Sequence, residues 1–264
     1  MNKIGIYAGI AALVITTAVS HGQVSGAIKK TDGAVLQGKI KWLPASKKYT
    51  INNGTTTIEV QPNQVMDVRV KTPAGLSAAV KQMNAGSYAA AIPSLTKIMQ
   101  QYSMLQWDVV AASYLAKAYV DTNNAKKAMS VCKTIVDINP KAAYSGDMAP
   151  YYWEALLAEG RDATLKKYLN QAIAKGNRDA QAAALLMRGN MFSKKNEFKD
   201  ALVDGYLRVV VLYKKQPTVR AEAMYKSIDC FTQLGQSSFA EQMRQKLISE
   251  YPKNEFAKKA KTGI

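Results

Sequence analysis

Histidine is almost absent from this chain of 264 residues, with His21 the only one. Imidazole is the usual proton carrier near neutral pH and a common metal ligand, so His-dependent triads, His-containing zinc sites and ordinary proton shuttles are excluded. Cysteine is scarce as well: Cys132 and Cys230 stand alone. Paired, they would close a loop of about 100 residues and contribute about 4.7 kcal/mol in the chain-entropy picture. Each, however, occupies a helical position suited to a small buried apolar residue, which predicts two buried free thiols. Glycine-rich phosphate loops, metal-ligand clusters and nucleophile motifs are missing too, so no enzyme class and no cofactor is implied. Acid is the last shortage. Nineteen Asp and Glu face 36 Lys and Arg, a net charge of +17.

The longest apolar run is N-terminal. Lys3 precedes residues 4–19, about 16 residues where a membrane span needs about 20. Small residues follow at Ala18, Ser20 and Gly22, as a signal peptidase requires. Residues 1–22 are therefore expected to be a signal peptide, and the protein to be secreted and periplasmic; the alternative is an anchor formed by an uncleaved N-terminal helix. No Cys lies near this boundary, so no lipid anchor is expected. Setting residues 1–22 aside removes only the charge of Lys3 and leaves +16. Such an excess attracts an anionic polymer, a membrane surface or an acidic protein, while the plainer reading is a solvated Lys-rich surface.

Residues 24–72 alternate in short runs separated by turn residues. Val24 to Lys30, Val35 to Leu43, Lys48 to Asn52, Thr56 to Val60 and Val65 to Val70 are broken by Asp32-Gly33, Pro44-Ala45-Ser46 and Asn53-Gly54. That pattern predicts hairpins. Five strands in so short a span are expected to form a small closed or nearly closed barrel, which avoids exposed edges. With Asp32-Gly33 leading into Gln37-Gly38-Lys39 and then Ile40, Trp42, Tyr49 and Ile51, the segment resembles small Sm-like or SH3-like barrels. Such barrels often bind RNA. Trp42 and Tyr49 nonetheless read as a cross-strand pair rather than a base-stacking platform, and nucleic acid is not the expected partner.

Thr72-Pro73-Ala74-Gly75 ends the strands, and from Leu76 the apolar period lengthens to about 3.6. A spacing then recurs. Tyr119, Ala128, Cys132 and Pro140 stand at the same intervals as Phe231, Ala240, Arg244 and Pro252, and Phe192 with Ala201 repeats the first interval. Five helical pairs can be placed, with turns at Gly86, Asn123-Asn124 and Gly160 in the first three; the fourth uses Gly189, Phe192, Asn196, Phe198 and Ala201, and the fifth Met224, Ile228, Phe231, Gly235, Phe239 and Ala240. Leu165 takes the crossing position in the third pair. Pro93 is expected in the first turn of its helix, and residues 254–261 are expected to cap the last apolar face.

Residues 76–264 are similar to the tetratricopeptide repeat (TPR) family. The segment around Phe239-Ala240, Leu247-Ile248, Glu250-Tyr251-Pro252 and Phe256-Ala257 resembles its bacterial periplasmic and envelope members. The resemblance implies a multidomain α+β chain, a small all-β barrel followed by an all-α solenoid, acting as a non-enzymatic envelope scaffold for a protein partner. Its groove positions, carried across, are Ser113, Lys117, Val120 and Asp121 in the second repeat, Leu186, Asn190 and Lys194 in the fourth, and Tyr225, Asp229 and Gln233 in the fifth. That lining is mixed and mildly basic. It does not reproduce the Lys and Asn set with which chaperone-binding members hold a C-terminal carboxylate. The alternative function is binding of anionic cell-wall or surface polysaccharide through the Lys pairs 126-127, 166-167, 194-195, 214-215 and 258-259.

Overall fold

The computed structural model describes residues 22–262, so the expected signal peptide falls outside the described residues except for Gly22. Strands β1 (Val24–Lys30), β2 (Val35–Leu43), β3 (Lys48–Asn52), β4 (Thr57–Val60) and β5 (Val65–Val70) form one antiparallel sheet in the order β4-β3-β2-β1-β5. Turn chemistry fixes the hairpins. The Asp32 carboxylate accepts the Ala34 amide at 3.0 Å and Gly33 takes a φ of +89°, a conformation that costs glycine little. Alternation then buries one face, including Ile28, Ile40, Tyr49, Ile51 and Val68. Trp42 pairs with Tyr49 across β2 and β3, edge to face at 4.9 Å.

Gly26 and Gly38 are also directly opposed. A Cβ on either would run into a neighbouring strand's carbonyl, Arg69 O or Asn52 O, so both glycines admit close backbone approach where the sheet curls. The outer strands β4 and β5 do not pair with one another. The sheet's apolar face is covered by packing: Ile28, Ile40 and Ile51 share one core with Leu76, Met83, Leu95 and Leu105 of the helical region. The Tyr49 hydroxyl adds a bond to the Met104 carbonyl at 3.0 Å.

Eleven helices follow among the described residues. They are α1 (Leu76–Asn84), α2 (Tyr88–Gln101), α3 (Trp107–Asp121), α4 (Ala125–Ile138), α5 (Ala149–Ala158), α6 (Asp162–Lys175), α7 (Arg178–Ser193), α8 (198–212), α9 (Pro217–Gln233), α10 (Ser237–Glu250) and α11 (Glu255–Thr262). Pro93 lies in the second turn of α2, not the first. Its missing N–H costs one bond, to the Ala89 carbonyl, while buried Ala91 and Leu95 hold the helix on either side.

One device sets the register of every pair. Gly86, Asn123, Gly160, Asn196 and Gly235 all have φ between +55° and +73°, at spacings of 37, 37, 36 and 39 residues. After each, the next amide bonds back to the carbonyl five residues earlier: Ser87 to Gln82, Asn124 to Tyr119, Arg161 to Leu156, Glu197 to Phe192 and Gln236 to Phe231. The left-handed residue's own amide bonds three back. This is the Schellman closure, which satisfies the last carbonyls of the first helix while reversing the chain. Five residues downstream of each lies the buried crossing residue, Ala91, Ala128, Leu165, Ala201 or Ala240. The first helices of the pairs, α1, α3, α5, α7 and α9, touch in succession and form one face of the solenoid. Buried Ala257 and Ala260 of α11 close its end.

Pair four departs from this scheme. Helix α8 comprises Phe198–Asp200, a π-helical segment Ala201–Tyr206 and Leu207–Leu212. A Cβ at Gly205 would lie 2.5 Å from the Gly189 Cα and 2.6 Å from its nitrogen. The two backbones therefore meet where α7 crosses α8, and the wider π turn fits that approach.

Candidate inner-face groove

The face built by α3, α5, α7 and α9 contains two clefts bordered by expected site residues. The first, about 320 Å³, is lined by Val110, Ser113, Tyr114, Lys117, Asp147 and Tyr151. Lys117 donates to Asp121 at 2.7 Å, Asp121 also accepts from the Tyr88 hydroxyl at 2.7 Å, and the Lys117 ammonium sits 5.8 Å from the Tyr151 ring centre. These bonds hold Asp121 below the usual carboxylate range against the opposing effect of desolvation. The second cleft, about 430 Å³, lies between Tyr225, Lys226 and Asp229 of α9, Ser193 and Tyr206 of pair four, and Lys259 of α11. Tyr225 stacks on Phe256 at 5.7 Å.

Not every expected groove residue faces outward. Leu186 is 9% exposed and packs in the core of pairs four and five, so it corrects to an interior residue. Asn190 accepts the buried Tyr206 hydroxyl at 2.9 Å, which assigns it to the joint between α7 and α8. Lys194 donates to the Leu157 carbonyl at 2.6 Å, satisfying the end of α5 where a cation also suits the helix dipole. Its neighbour Lys195 pairs with Asp162 at 2.6 Å. Ser113 is buried at the base of the first cleft, Val120 is half-buried, and Gln233 is exposed at the end of α9.

Two carboxylates extend the expected lining. Glu154 on α5 is exposed and Glu222 on α9 is half-buried, yet the curved face walls both with protein, and desolvation raises both above the ordinary range. Glu222 repels Glu154, as does Asp121, while Lys117 and Lys226 act oppositely. The lining is thus not basic. Adding one repeat length to Lys117 lands on Glu154, a signal present in the sequence.

Elsewhere the polar side chains are structural. Trp153 is buried and donates to the Ala143 carbonyl at 2.8 Å. Arg220, 4% exposed, donates to the Val210 carbonyl at 2.7 Å, the Tyr251 hydroxyl at 2.6 Å and the Glu250 carboxylate, tying α8, α9 and α10 together. Cys132 and Cys230 are buried and free. Burial raises their thiols to about 12 and about 11, which keeps them protonated and unreactive.

Comparison with known proteins agrees with this geometry. The tetratricopeptide-repeat family profile matches residues 82–149. A solved Podosopora anserina kinesin light chain with nearly identical TPR-like repeats, and a point variant of it, are each 16% identical to this chain, cover 66% of it and 91% of themselves, and superpose with TM-scores of 0.51 and 0.52. A thermophilic TPR protein from Thermus thermophilus is 20% identical, with 71% of this chain and 95% of that one covered, at a TM-score of 0.49. No curated protein matches. Residues 82–149 thus match the tetratricopeptide-repeat family, and with five Schellman turns at near-constant spacing and a buried crossing residue after each, the helical region has a TPR-like solenoid fold.

Proposed function

We propose that this chain is a non-enzymatic scaffold that holds a segment of a protein partner along the inner face of its repeats, and that it works in the cell envelope after export. The observation that carries the reading is the inner face itself. Successive first helices, fixed by identical turns, leave two clefts edged by Tyr151 and Tyr225. A preformed concave surface loses little ordering entropy when a segment docks, and amphipathic aromatics supply contact area at low entropic cost. The envelope assignment rests on Lys3 and the apolar run that follows it.

A second reading has its own support. Lys126, Lys127, Lys166, Lys167, Lys214 and Lys215 line the outside of the repeats, where an anionic polymer would reach them. Binding kinetics with the physiological partner at two salt concentrations separate the readings. For groove docking, Tyr151→Ala speeds dissociation, whereas neutralising Lys214 and Lys215 changes only the association rate. Loss of all binding at high salt, with Tyr151→Ala neutral, would favour the polymer.

A further inference from the structure

The inner face uses its positive charges internally. Lys117 is bonded to Asp121, Lys226 lies 3.6 Å from Glu222, Lys259 lies 3.5 Å from Glu255, and Lys194 is spent on a carbonyl. Its carboxylates are less committed. Asp147 in the first cleft and Glu154 beyond it have no hydrogen-bond or ion-pair partner among the described residues. Glu154 also faces like charge, from Glu222 on one side and Asp121 on the other. Resting on the groove reading above, we infer that the partner segment is cationic, and that it places a Lys or Arg side chain against Glu154 on α5, with Asp147 and Tyr151 receiving the flanking residues.

The physical case is local. A chain of net +17 repels a basic ligand at long range, but that field is screened beyond about 8 Å at physiological salt. Inside the groove a cation relieves the repulsion that Glu222 and Asp121 exert on Glu154 and finds an accessible carboxylate already partly stripped of water. An acidic segment would add to that repulsion, and each lysine it could pair with would first have to leave its present acceptor.

The test uses the full chain and three short blocked peptides, alternating Lys and Ala, Glu and Ala, or Gln and Ala, with affinity read by anisotropy at physiological salt and location by amide hydrogen exchange. The Lys peptide is expected to bind tightest and to protect α3, α5 and α9. Glu154→Gln should weaken it about tenfold, whereas Asp200→Asn on the outer helix α8 should leave it unchanged. Tighter inner-face binding of the Glu peptide would overturn the cationic assignment and leave groove docking standing. Equal effects of Glu154→Gln and Asp200→Asn would also overturn it, as the signature of non-specific attraction. If no peptide protects the inner face, the groove reading falls together with this one.

Discussion

Pairs two and four answer the same packing problem differently. Each begins with a long helix, reverses at a left-handed Asn and buries an alanine five residues later. In pair two, Ala128 makes the crossing within the regular helix α4, whose first turn is capped by Asn124 accepting the Lys127 amide. In pair four the crossing is closed by Gly189 against Gly205, and the second helix widens into a π segment. The turn fixes which residues can meet. The size of the residues at the crossing then fixes how closely the helices approach, and helical regularity yields to that distance.

Substitutions at these crossings sharpen the comparison. The largest effect is expected from Gly205→Ala, because its new Cβ meets Gly189 backbone that cannot rotate away; about 3 kcal/mol of stability should be lost, read as a urea midpoint. A variant as stable as wild type would show that α7 and α8 are not in backbone contact. Arg220→Met follows at about 2 kcal/mol: it leaves the buried Val210 carbonyl unpaired and frees Glu250, a carboxylate about a third exposed and thus partly compensated by water. Ala128→Leu overpacks a crossing that side chains can partly absorb, and about 1.5 kcal/mol is expected. If it cost more than Gly205→Ala, the ranking of the two crossings would be reversed.

Smaller still is the contrast between turns. Gly160→Ala should cost about 1 kcal/mol, since alanine tolerates a φ of +66° poorly, while Asn196→Gly should change stability by only a few tenths of a kcal/mol. Thermal midpoints decide it.

Most of the strand and repeat plan is legible in the sequence because it rests on local chemistry. Asp32-Gly33 and Asn53-Gly54 mark hairpins, and four of the five strands have the expected bounds, β4 starting one residue later. Gly86, Asn123, Gly160, Asn196 and Gly235 mark every reversal. What escapes depends on distances that no spacing encodes. Gly205 carries no signal until α7 lies against it, and the curvature that brings Glu222 near Glu154 is a sum of small rotations over pairs. Register alone places Leu186 on the surface, but the neighbouring pair covers it. Glu154 stands one repeat length after Lys117, but the third repeat is degenerate and the family's groove positions are carried only onto the second, fourth and fifth.

The joint between sheet and repeats adds a pH-dependent contrast, the smallest effect expected. Asp108 is 2% exposed, accepts the Met104 amide at 2.7 Å, and is raised above the ordinary carboxylate range by desolvation. A raised folded-state value means its contribution to stability is full below the unfolded value, about pH 4, and is lost as pH rises through the folded value. Asp108→Asn stays neutral throughout. Its urea midpoint relative to wild type should therefore improve on going from acid to neutral pH, and parallel pH profiles would show that Asp108 titrates normally.

The groove itself is tested most directly by placing a photo-crosslinking residue at Tyr151 on the inner face or at Val211 on the exposed face of α8, in cells of the native host. Docking in the groove predicts a discrete protein adduct from position 151, competed away by the free partner, and none from position 211. Adducts arising only from position 211, or smeared adducts with polymer from both, would contradict it.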